Sequence, residues 1–150
     1  MSFIRITKNF DFETAHALYG YDGKCKNIHG HSYKLSVCVL GNPIDDKNNV
    51  KNGMVMDFGD LKKIVNNEIV SVFDHATILN RQSPHIKLAE SLEAHAHNIV
   101  LVDYQPTSEN MLLDFAEKIK KRLPKNVTLH SLKLYETANS FAEWFASDNK

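Results

Sequence analysis

Three histidines and one cysteine near the amino terminus are the residues best suited to chemistry. Cys25 precedes the segment His29-Gly30-His31, and His16 lies upstream at the end of an alternating apolar segment. Three neutral nitrogen ligands that leave a fourth position open are typical of catalytic zinc, whereas structural zinc sites are closed by four protein ligands. We therefore predict that His16, His29 and His31 bind Zn²⁺ and leave one position open for a substrate.

The spacing of these histidines matches a β-hairpin. Side chains of a strand alternate between its two faces, so His29 and His31 share a face if they open a strand. On the upstream strand, period two places His16 on the same face as Ile4, Ile6, Phe10, Phe12 and Thr14. An antiparallel hairpin would therefore bring the three imidazoles together. The alternative is that His29 and His31 are polar strand residues and His16 is a hydrogen-bonded core histidine.

The position of Cys25 leaves three roles open. Its thiol can close the metal site as a fourth ligand, be buried and inert, or act as a nucleophile or an acid/base group. Its polar loop carries Lys24 and Lys26, which disfavours inert burial and favours a thiolate. Cys38, in mid-strand on the opposite face, is predicted to be structural.

Composition predicts one soluble globular domain over residues 1–150. The chain has 150 residues, of which 43% are hydrophobic and 24% charged, which is ordinary for such a domain. Its 18 basic residues balance 18 acidic ones, so no positive field favours nucleic acid or an anionic membrane. We see neither a signal-peptide pattern nor an apolar run of membrane-spanning length, and we expect a cytoplasmic protein with reduced cysteines.

The remaining pattern predicts an α+β fold, with an antiparallel sheet covered by two helices on one face. Strands are expected over residues 3–16 and 29–39, and alternation over 127–136 predicts the last strand, with Glu136 on a face of leucines. Asp57 is the predicted N-cap of the first helix, and the second begins near 106–108. A short helix over 84–97 and a short strand over 98–104 are expected between them. The apolar stripe of the first helix is Phe58, Leu61, Val65, Ile69 and Val72.

Other titratable residues give weaker signals. In the pair Asp74-His75 a carboxylate could set the tautomer of an imidazole for acid/base work, although such a pair is more often ordinary turn chemistry. Glu109, in the first turn of the second helix, could simply complement the helix dipole. On a helix, His95 and His97 would point about 200° apart and could not easily chelate one ion. Predicted surface or structural residues are His85, His95, His97 and His130.

Taken together, these motifs resemble the 6-pyruvoyltetrahydropterin synthase superfamily. The matching landmarks are His16, Cys25-x-x-x-His29-Gly30-His31, Asp57-Phe58, Phe73-Asp74-His75, Pro106-Thr107-Ser108-Glu109-Asn110 and Tyr135-Glu136-Thr137. They occur in the family's order and cover nearly the whole chain. The three-residue gap between Cys25 and His29 resembles the 6-carboxytetrahydropterin synthases of queuosine biosynthesis, while the segment 81–104 is longer than in the shortest family members.

The resemblance implies a role for each matching residue. His16, His29 and His31 would hold zinc, and Cys25 would be the catalytic thiol, with Asp74 and His75 as its partners in proton transfer. Glu136 would anchor the pterin ring, and Thr107 and Glu109 would lie near the pterin. The implied fold is a tunnel-fold subunit whose sheet closes into a barrel with other subunits, commonly as a homohexamer of two stacked trimers with active sites between subunits.

The implied reaction is the zinc-dependent conversion of 7,8-dihydroneopterin triphosphate to 6-carboxy-5,6,7,8-tetrahydropterin, with release of acetaldehyde and triphosphate. One alternative is a 6-pyruvoyltetrahydropterin synthase that acts on the same substrate and keeps its three-carbon side chain. A second alternative is a noncatalytic zinc-binding or pterin-binding protein in which Cys25 closes the metal site.

Overall fold

A six-stranded mixed sheet organises the molecule, which a computed structural model describes over residues 1–150. The strands are β1 (Ile4–His16), β2 (His29–Gly41), β3 (Ala76–Asn80), β4 (Ile99–Val102), β5 (Val127–Tyr135) and β6 (Phe141–Phe145), in the spatial order β4-β3-β1-β2-β5-β6. The sheet curls into a half-barrel. Strands β1, β2, β5 and β6 pair antiparallel as expected, whereas β3 and β4 join the other edge in parallel. Parallel strands need a long crossover connection. The chain provides it, because one helix lies between β2 and β3 and another lies between β3 and β4.

Three helices accompany the sheet. The first, α1 (Phe58–Val65), continues through a π-helical segment (Asn66–Val70) and a final α-helical turn (Ser71–Phe73). The second and third are α2 (His85–Ala94) and α3 (Ser108–Lys120). The predicted N-cap of α1 is confirmed, since Asp57 accepts a hydrogen bond from the backbone N–H of Gly59 at 2.7 Å. No helix combines the length and the apolar character needed to cross a membrane.

The main core lies between the sheet and the two long helices, α1 and α3. Alternation along the hairpin is as predicted, and Phe12 and Tyr33 belong to a buried cluster that includes Phe115 of α3. The rings of Phe12 and Phe115 meet edge to face at 6.1 Å. Helix α2 buries Leu79 of β3 in a separate small cluster. Since Leu79 alternates with Ile78 of the main core, α2 covers the opposite face of the sheet.

The π-helical segment corrects the predicted stripe of α1. Leu61, Val65 and Ile69 are fully buried, but Val72 is 38% exposed and Phe73 is buried in its place. A π turn adds one residue to the helical repeat, which moves the next core position from 72 to 73. As a result the helix ends with a buried anchor directly before Asp74-His75.

Two strands were not predicted. Strand β3 begins directly after His75, with no turn-forming residues to mark its start. Strand β6 follows β5, so the strand predicted over 127–136 is not the last one in the chain. Strand β6 places Trp144 against the core at 7% exposure. The predicted short helix and short strand between the long helices are confirmed as α2 and β4.

Candidate metal centre and active site

The β1–β2 hairpin brings the three histidines together. In its antiparallel register His16 pairs with His29, and His31 pairs with Thr14. Directly opposed side chains of antiparallel strands are neighbours, and a residue two positions further along is still within reach of a long side chain. The three imidazoles therefore converge at one end of the sheet, as the period-two spacing predicts.

The nitrogen atoms of the cluster approach closely. The Nε2 atoms of His16 and His29 lie 3.0 Å apart, and the His29 and His31 rings meet at a centroid distance of 5.0 Å. Glu136, at the end of β5, joins them: its Oε1 lies 2.8 Å from Nε2 of His31 and 3.6 Å from Nε2 of His16. One ligand-capable atom from each of these four residues lies within 4.8 Å of all the others.

Hydrogen bonds on the far side of the rings fix their orientation. Nδ1 of His16 lies 2.6 Å from the carbonyl oxygen of Pro106, and Nδ1 of His29 lies 2.7 Å from that of Asn27. A carbonyl oxygen can only accept, so each Nδ1 carries the proton and each Nε2 presents a lone pair to the cluster. Metal-binding histidines commonly donate their other ring N–H in this way.

This donor set fits a divalent cation. In their neutral forms His16 and His29 direct two lone pairs at each other across 3.0 Å, which a cation between them would reconcile. Nε2 of His31 is buried, and its approach to Glu136 lacks hydrogen-bond geometry, so this atom has no hydrogen-bond partner. Neighbouring ligand atoms of a tetrahedral zinc ion with bonds of about 2.0–2.1 Å lie about 3.3 Å apart, close to the spacing found here.

Burial favours the neutral form of His16 and His31, which is the form that a metal requires. His16 is 1% exposed, and burial lowers its pKa below the usual 6.5 against the opposing effect of the Pro106 carbonyl. Burial also lowers the pKa of His31, although the Glu136 carboxylate acts in the opposite direction. Desolvation disfavours the charged imidazolium in both cases.

Cys25 lies outside the cluster of converging ligand-capable groups. The thiol is half-buried in a short 3-10 turn (Lys24–Lys26), which is tied to the segment directly after β1 by a 3.0 Å hydrogen bond from the N–H of Leu18 to the carbonyl of Cys25. The four residues whose ligand-capable atoms converge are the three histidines and Glu136. Cys25 is not one of them. This arrangement favours the open alternative in which the thiol is free for chemistry.

Glu136 is held in place by a residue that the sequence analysis did not single out. Oγ of Ser108, a residue only 4% exposed in the first turn of α3, donates to Oε2 of Glu136 at 2.9 Å. The second carboxylate oxygen, Oε1, is thereby directed toward His31 and His16. Glu136 thus contacts the histidine cluster, in addition to its predicted place in the pterin pocket.

A cavity of about 350 Å³ adjoins Glu136 on the side of α3. Ser108, Glu109 and Glu136 line it together with Ser140, Phe141 and Ala142. Glu109 therefore lines the same cavity as Glu136. Thr107 is the N-cap of α3, and its Oγ1 accepts from the N–H of Asn110 at 3.2 Å.

Asp74 and His75 form a tight pair at the start of β3. Oδ2 of Asp74 lies 3.0 Å from Nδ1 of His75, whose side chain is 79% exposed. The N–H of Glu13 donates to Oδ1 of Asp74 at 2.8 Å. This backbone bond, followed by the bond from His75, lowers the pKa of Asp74 and keeps it ionised beside the imidazole.

The backbone of His75 is strained. Its φ of 58° lies in the left-handed region, which is unfavourable for residues other than glycine and persists only where the surroundings enforce it. Strand β1 does so: the His75 N–H donates to the carbonyl of Glu13 at 2.6 Å, and Oγ1 of Thr14 donates to the carbonyl of Phe73 at 2.8 Å. The strand that carries His16 therefore also fixes the Asp74-His75 pair.

The Asp74-His75 pair lies outside the histidine cluster but borders one of its members. His75 lines a cleft of about 400 Å³ together with Glu13, Ser32 and His31, and the side chains of Glu13 and Ser32 are hydrogen-bonded to each other at 2.7 Å. By alternation Glu13 and Ser32 lie on the face opposite His16 and His31. Within one subunit His75 therefore shares a cleft with His31, but it is not one of the residues whose ligand-capable atoms converge.

The six-stranded half-barrel with this cluster at one end is a tunnel-fold subunit. A family model described as 6-pyruvoyl tetrahydropterin synthase matches residues 5–147. The chain is 36% identical over 144 residues to a Haemophilus influenzae protein named 6-carboxy-5,6,7,8-tetrahydropterin synthase, with 93% of this chain and 97% of that one covered.

Solved structures show the same fold. An uncharacterized protein from Wolinella succinogenes is 22% identical with a TM-score of 0.80, covering 97% of this chain and 99% of that one. The 6-pyruvoyl tetrahydropterin synthase of Caenorhabditis elegans is 23% identical with a TM-score of 0.69, covering 97% of each chain. The chain belongs to the 6-pyruvoyl tetrahydropterin synthase family, and the predicted resemblance and fold class are confirmed.

Proposed function

We propose that this protein converts 7,8-dihydroneopterin triphosphate and one water molecule to 6-carboxy-5,6,7,8-tetrahydropterin, acetaldehyde and triphosphate. The observation that carries the proposal is the convergence of His16, His29 and His31, with the thiol of Cys25 outside the ligand set. A relative 36% identical over nearly its whole length carries the name of this activity. The three-residue gap between Cys25 and His29 also favours the carboxy-forming enzyme.

In this proposal the three imidazoles hold Zn²⁺, with Glu136 as the adjacent carboxylate. When bound, the ion supplies Lewis acidity toward the vicinal hydroxyl oxygens of the substrate side chain. The neutral state of His16 and His31 and the carbonyl contacts of His16 and His29 keep the Nε2 atoms available for it. These residues therefore orient the substrate side chain as well as the ion.

Cys25 is the proposed base that takes a proton from the substrate side chain. Glu136 accepts hydrogen bonds from the ring edge of the pterin, and Ser108 keeps its carboxylate in position. Glu109 and Thr107 line or shape the same pocket at the first turn of α3. Ring orientation matters because a displacement of about 1 Å can cost about a hundredfold in rate.

Asp74 and His75 return a proton to the same carbon skeleton. Because His75 is exposed and lies outside the histidine cluster, we infer that it serves an active site completed by a neighbouring copy of the chain. The edge strands β4 and β6 each have one unpaired side, and pairing with neighbours would protect them. A homo-oligomer, specifically a hexamer, is the assembly we propose.

Incubation of the zinc-loaded protein with 7,8-dihydroneopterin triphosphate tests the proposed function. Formation of acetaldehyde together with the carboxypterin is the expected result. A pyruvoyl product would instead establish a 6-pyruvoyltetrahydropterin synthase. Absence of turnover with the metal fully loaded would establish a noncatalytic binding protein.

Mixing two inactive variants tests the shared site. If His75 works in a neighbour's site, co-assembled Cys25→Ala and His75→Ala subunits recover part of the activity, since some sites then contain both intact residues. Recovery requires unfolding and refolding of the mixture, and each variant treated alone is the control. No recovery in a mixture shown by mass spectrometry to be co-assembled would contradict sites shared between subunits.

A further inference from the structure

Tyr33 is a buried tyrosine directly beside the histidine cluster. It is 0% exposed and follows His29 and His31 on the same face of β2. Its ring stacks on Phe12 with a centroid distance of 5.4 Å and an interplanar angle of 14°. It also meets the rings of His31 and His16 at centroid distances of 5.5 Å and 6.2 Å. The ring therefore forms an apolar wall against which two of the imidazoles rest.

Packing explains the ring of Tyr33 but leaves its hydroxyl group unexplained. The oxygen is buried and has no hydrogen-bond partner, whereas buried polar groups in folded proteins are nearly always paired. Phenylalanine would provide the same stacking without burying an unpaired hydroxyl. Tyr104 shows the usual solution in this chain, because its hydroxyl donates to Oδ2 of Asp114 at 2.6 Å.

The titratable groups near Tyr33 belong to the proposed active site. Glu136 and Cys25 both lie close enough to act electrostatically on its phenol. A tyrosine hydroxyl carries its proton at physiological pH and can donate a hydrogen bond. A neutral donor thus lies unpaired within electrostatic reach of both the proposed catalytic thiol and the proposed pterin anchor.

We propose that Tyr33 is a substrate-contacting residue whose hydroxyl donates a hydrogen bond to an oxygen of the ligand's hydroxylated side chain. The inference rests on the proposed function, in which that side chain lies between Cys25 and the three histidines. As a proton leaves a carbon next to a hydroxyl, the oxygen gains negative charge. A preorganised neutral donor in a buried setting stabilises such a charge.

Binding of two pterins to the metal-loaded Tyr33→Phe variant tests this role. One probe is 7,8-dihydroneopterin, which has the hydroxylated side chain, and the other is 6-methyl-7,8-dihydropterin, which has none. We expect the variant to lose about three- to tenfold in affinity for the first probe and nothing for the second, since one hydrogen bond is removed. Calorimetric titration measures both affinities without requiring turnover.

Thermal unfolding supplies an independent readout. Removal of an unpaired buried hydroxyl leaves the Tm unchanged or raises it by a few degrees, because no hydrogen bond within the protein is lost. The matched control is Tyr104→Phe, which removes a hydroxyl that is paired with Asp114. We expect this control to lower the Tm and to leave both affinities unchanged.

Several results would overturn the inference. Equal affinity of the wild type and Tyr33→Phe for 7,8-dihydroneopterin would show that the hydroxyl does not contact the side chain. Equal losses for both probes would indicate general damage to the pocket, and a fall in Tm matching that of Tyr104→Phe would show that the hydroxyl is paired within the protein. Failure of the wild type to bind either pterin would instead overturn the proposed function, and this inference with it.

Discussion

The hydroxyl group of Thr14 links strand β1 to the strained segment at Asp74-His75, and its removal has a calculable effect. Oγ1 of Thr14 donates to the carbonyl of Phe73 at 2.8 Å, and the residue is only 3% exposed. Thr14→Val keeps the shape of the side chain and removes this donor. Loss of one buried partner costs about 1–3 kcal/mol, which corresponds to a fall in Tm of about 2–12 °C for a domain of this size.

The same substitution should reduce turnover by more than its effect on stability accounts for. The left-handed backbone of His75 stores about 1–3 kcal/mol of strain, and with one restraint gone we expect the imidazole to move. A displacement of about 1 Å can cost about a hundredfold in rate, so we predict a 10- to 100-fold fall in kcat. Metal content should not change, because Thr14 contributes no ligand.

Thr14→Ser is the matched control because it keeps the hydroxyl and loses only a methyl group. We expect its kcat to lie within about threefold of the wild type, since a hydrogen bond of the same geometry can form. Steady-state kinetics and metal analysis on both variants, at one protein concentration and a temperature well below Tm, provide the comparison. A Thr14→Val enzyme with a lower Tm and an unchanged kcat would refute the argument, and so would equal losses of kcat in the two variants.

Three further perturbations separate the other proposed roles. Glu136→Gln should keep the metal, since three imidazoles remain, and should weaken pterin binding at least about tenfold. Unchanged affinity for the pterin would contradict the role of Glu136 as ring anchor. Loss of the metal would show that Glu136 is a metal ligand. Cys25→Ala should keep the metal and lose turnover, and a fall in metal content would show that the thiol is a ligand. Burial lowers the pKa of His16 below 6.5, so the unfolded chain binds more protons just below that pH. Metal-free protein should therefore lose stability as the pH falls from 7.5 to 5.5, and less so in His16→Asn; an equal pH dependence of Tm in the two proteins would contradict this.

The cluster of histidines was predictable because it depends on strand periodicity alone. A side-chain period of two on both strands of a hairpin fixes the face of His16, His29 and His31, and the register followed once the strands paired. Alternation also placed Glu136 on a buried face with Leu132 and Leu134. Such a carboxylate requires a partner, and the structure supplies His31 and Ser108.

The parts that could not be predicted depend on contacts between distant segments. The carbonyl of Pro106 that orients His16 is 90 residues away in the chain, and a backbone acceptor leaves no mark in the pattern of side chains. The shift from Val72 to Phe73 follows from a π turn, which a stripe of helical period cannot indicate. Thr14 could have been noticed as the one hydroxyl group on the face of β1 that carries Phe12 and His16, but its partner could not.

X-ray absorption spectroscopy of the zinc-loaded protein would show directly which atoms bind the ion. We propose that three imidazoles bind one ion and that the thiol of Cys25 stays outside its coordination sphere. We therefore expect a first shell of nitrogen and oxygen atoms only, at about 2.0–2.1 Å, with the multiple-scattering pattern of three imidazoles. A sulfur contribution at about 2.3 Å, or a protein that fails to retain stoichiometric metal, would contradict it.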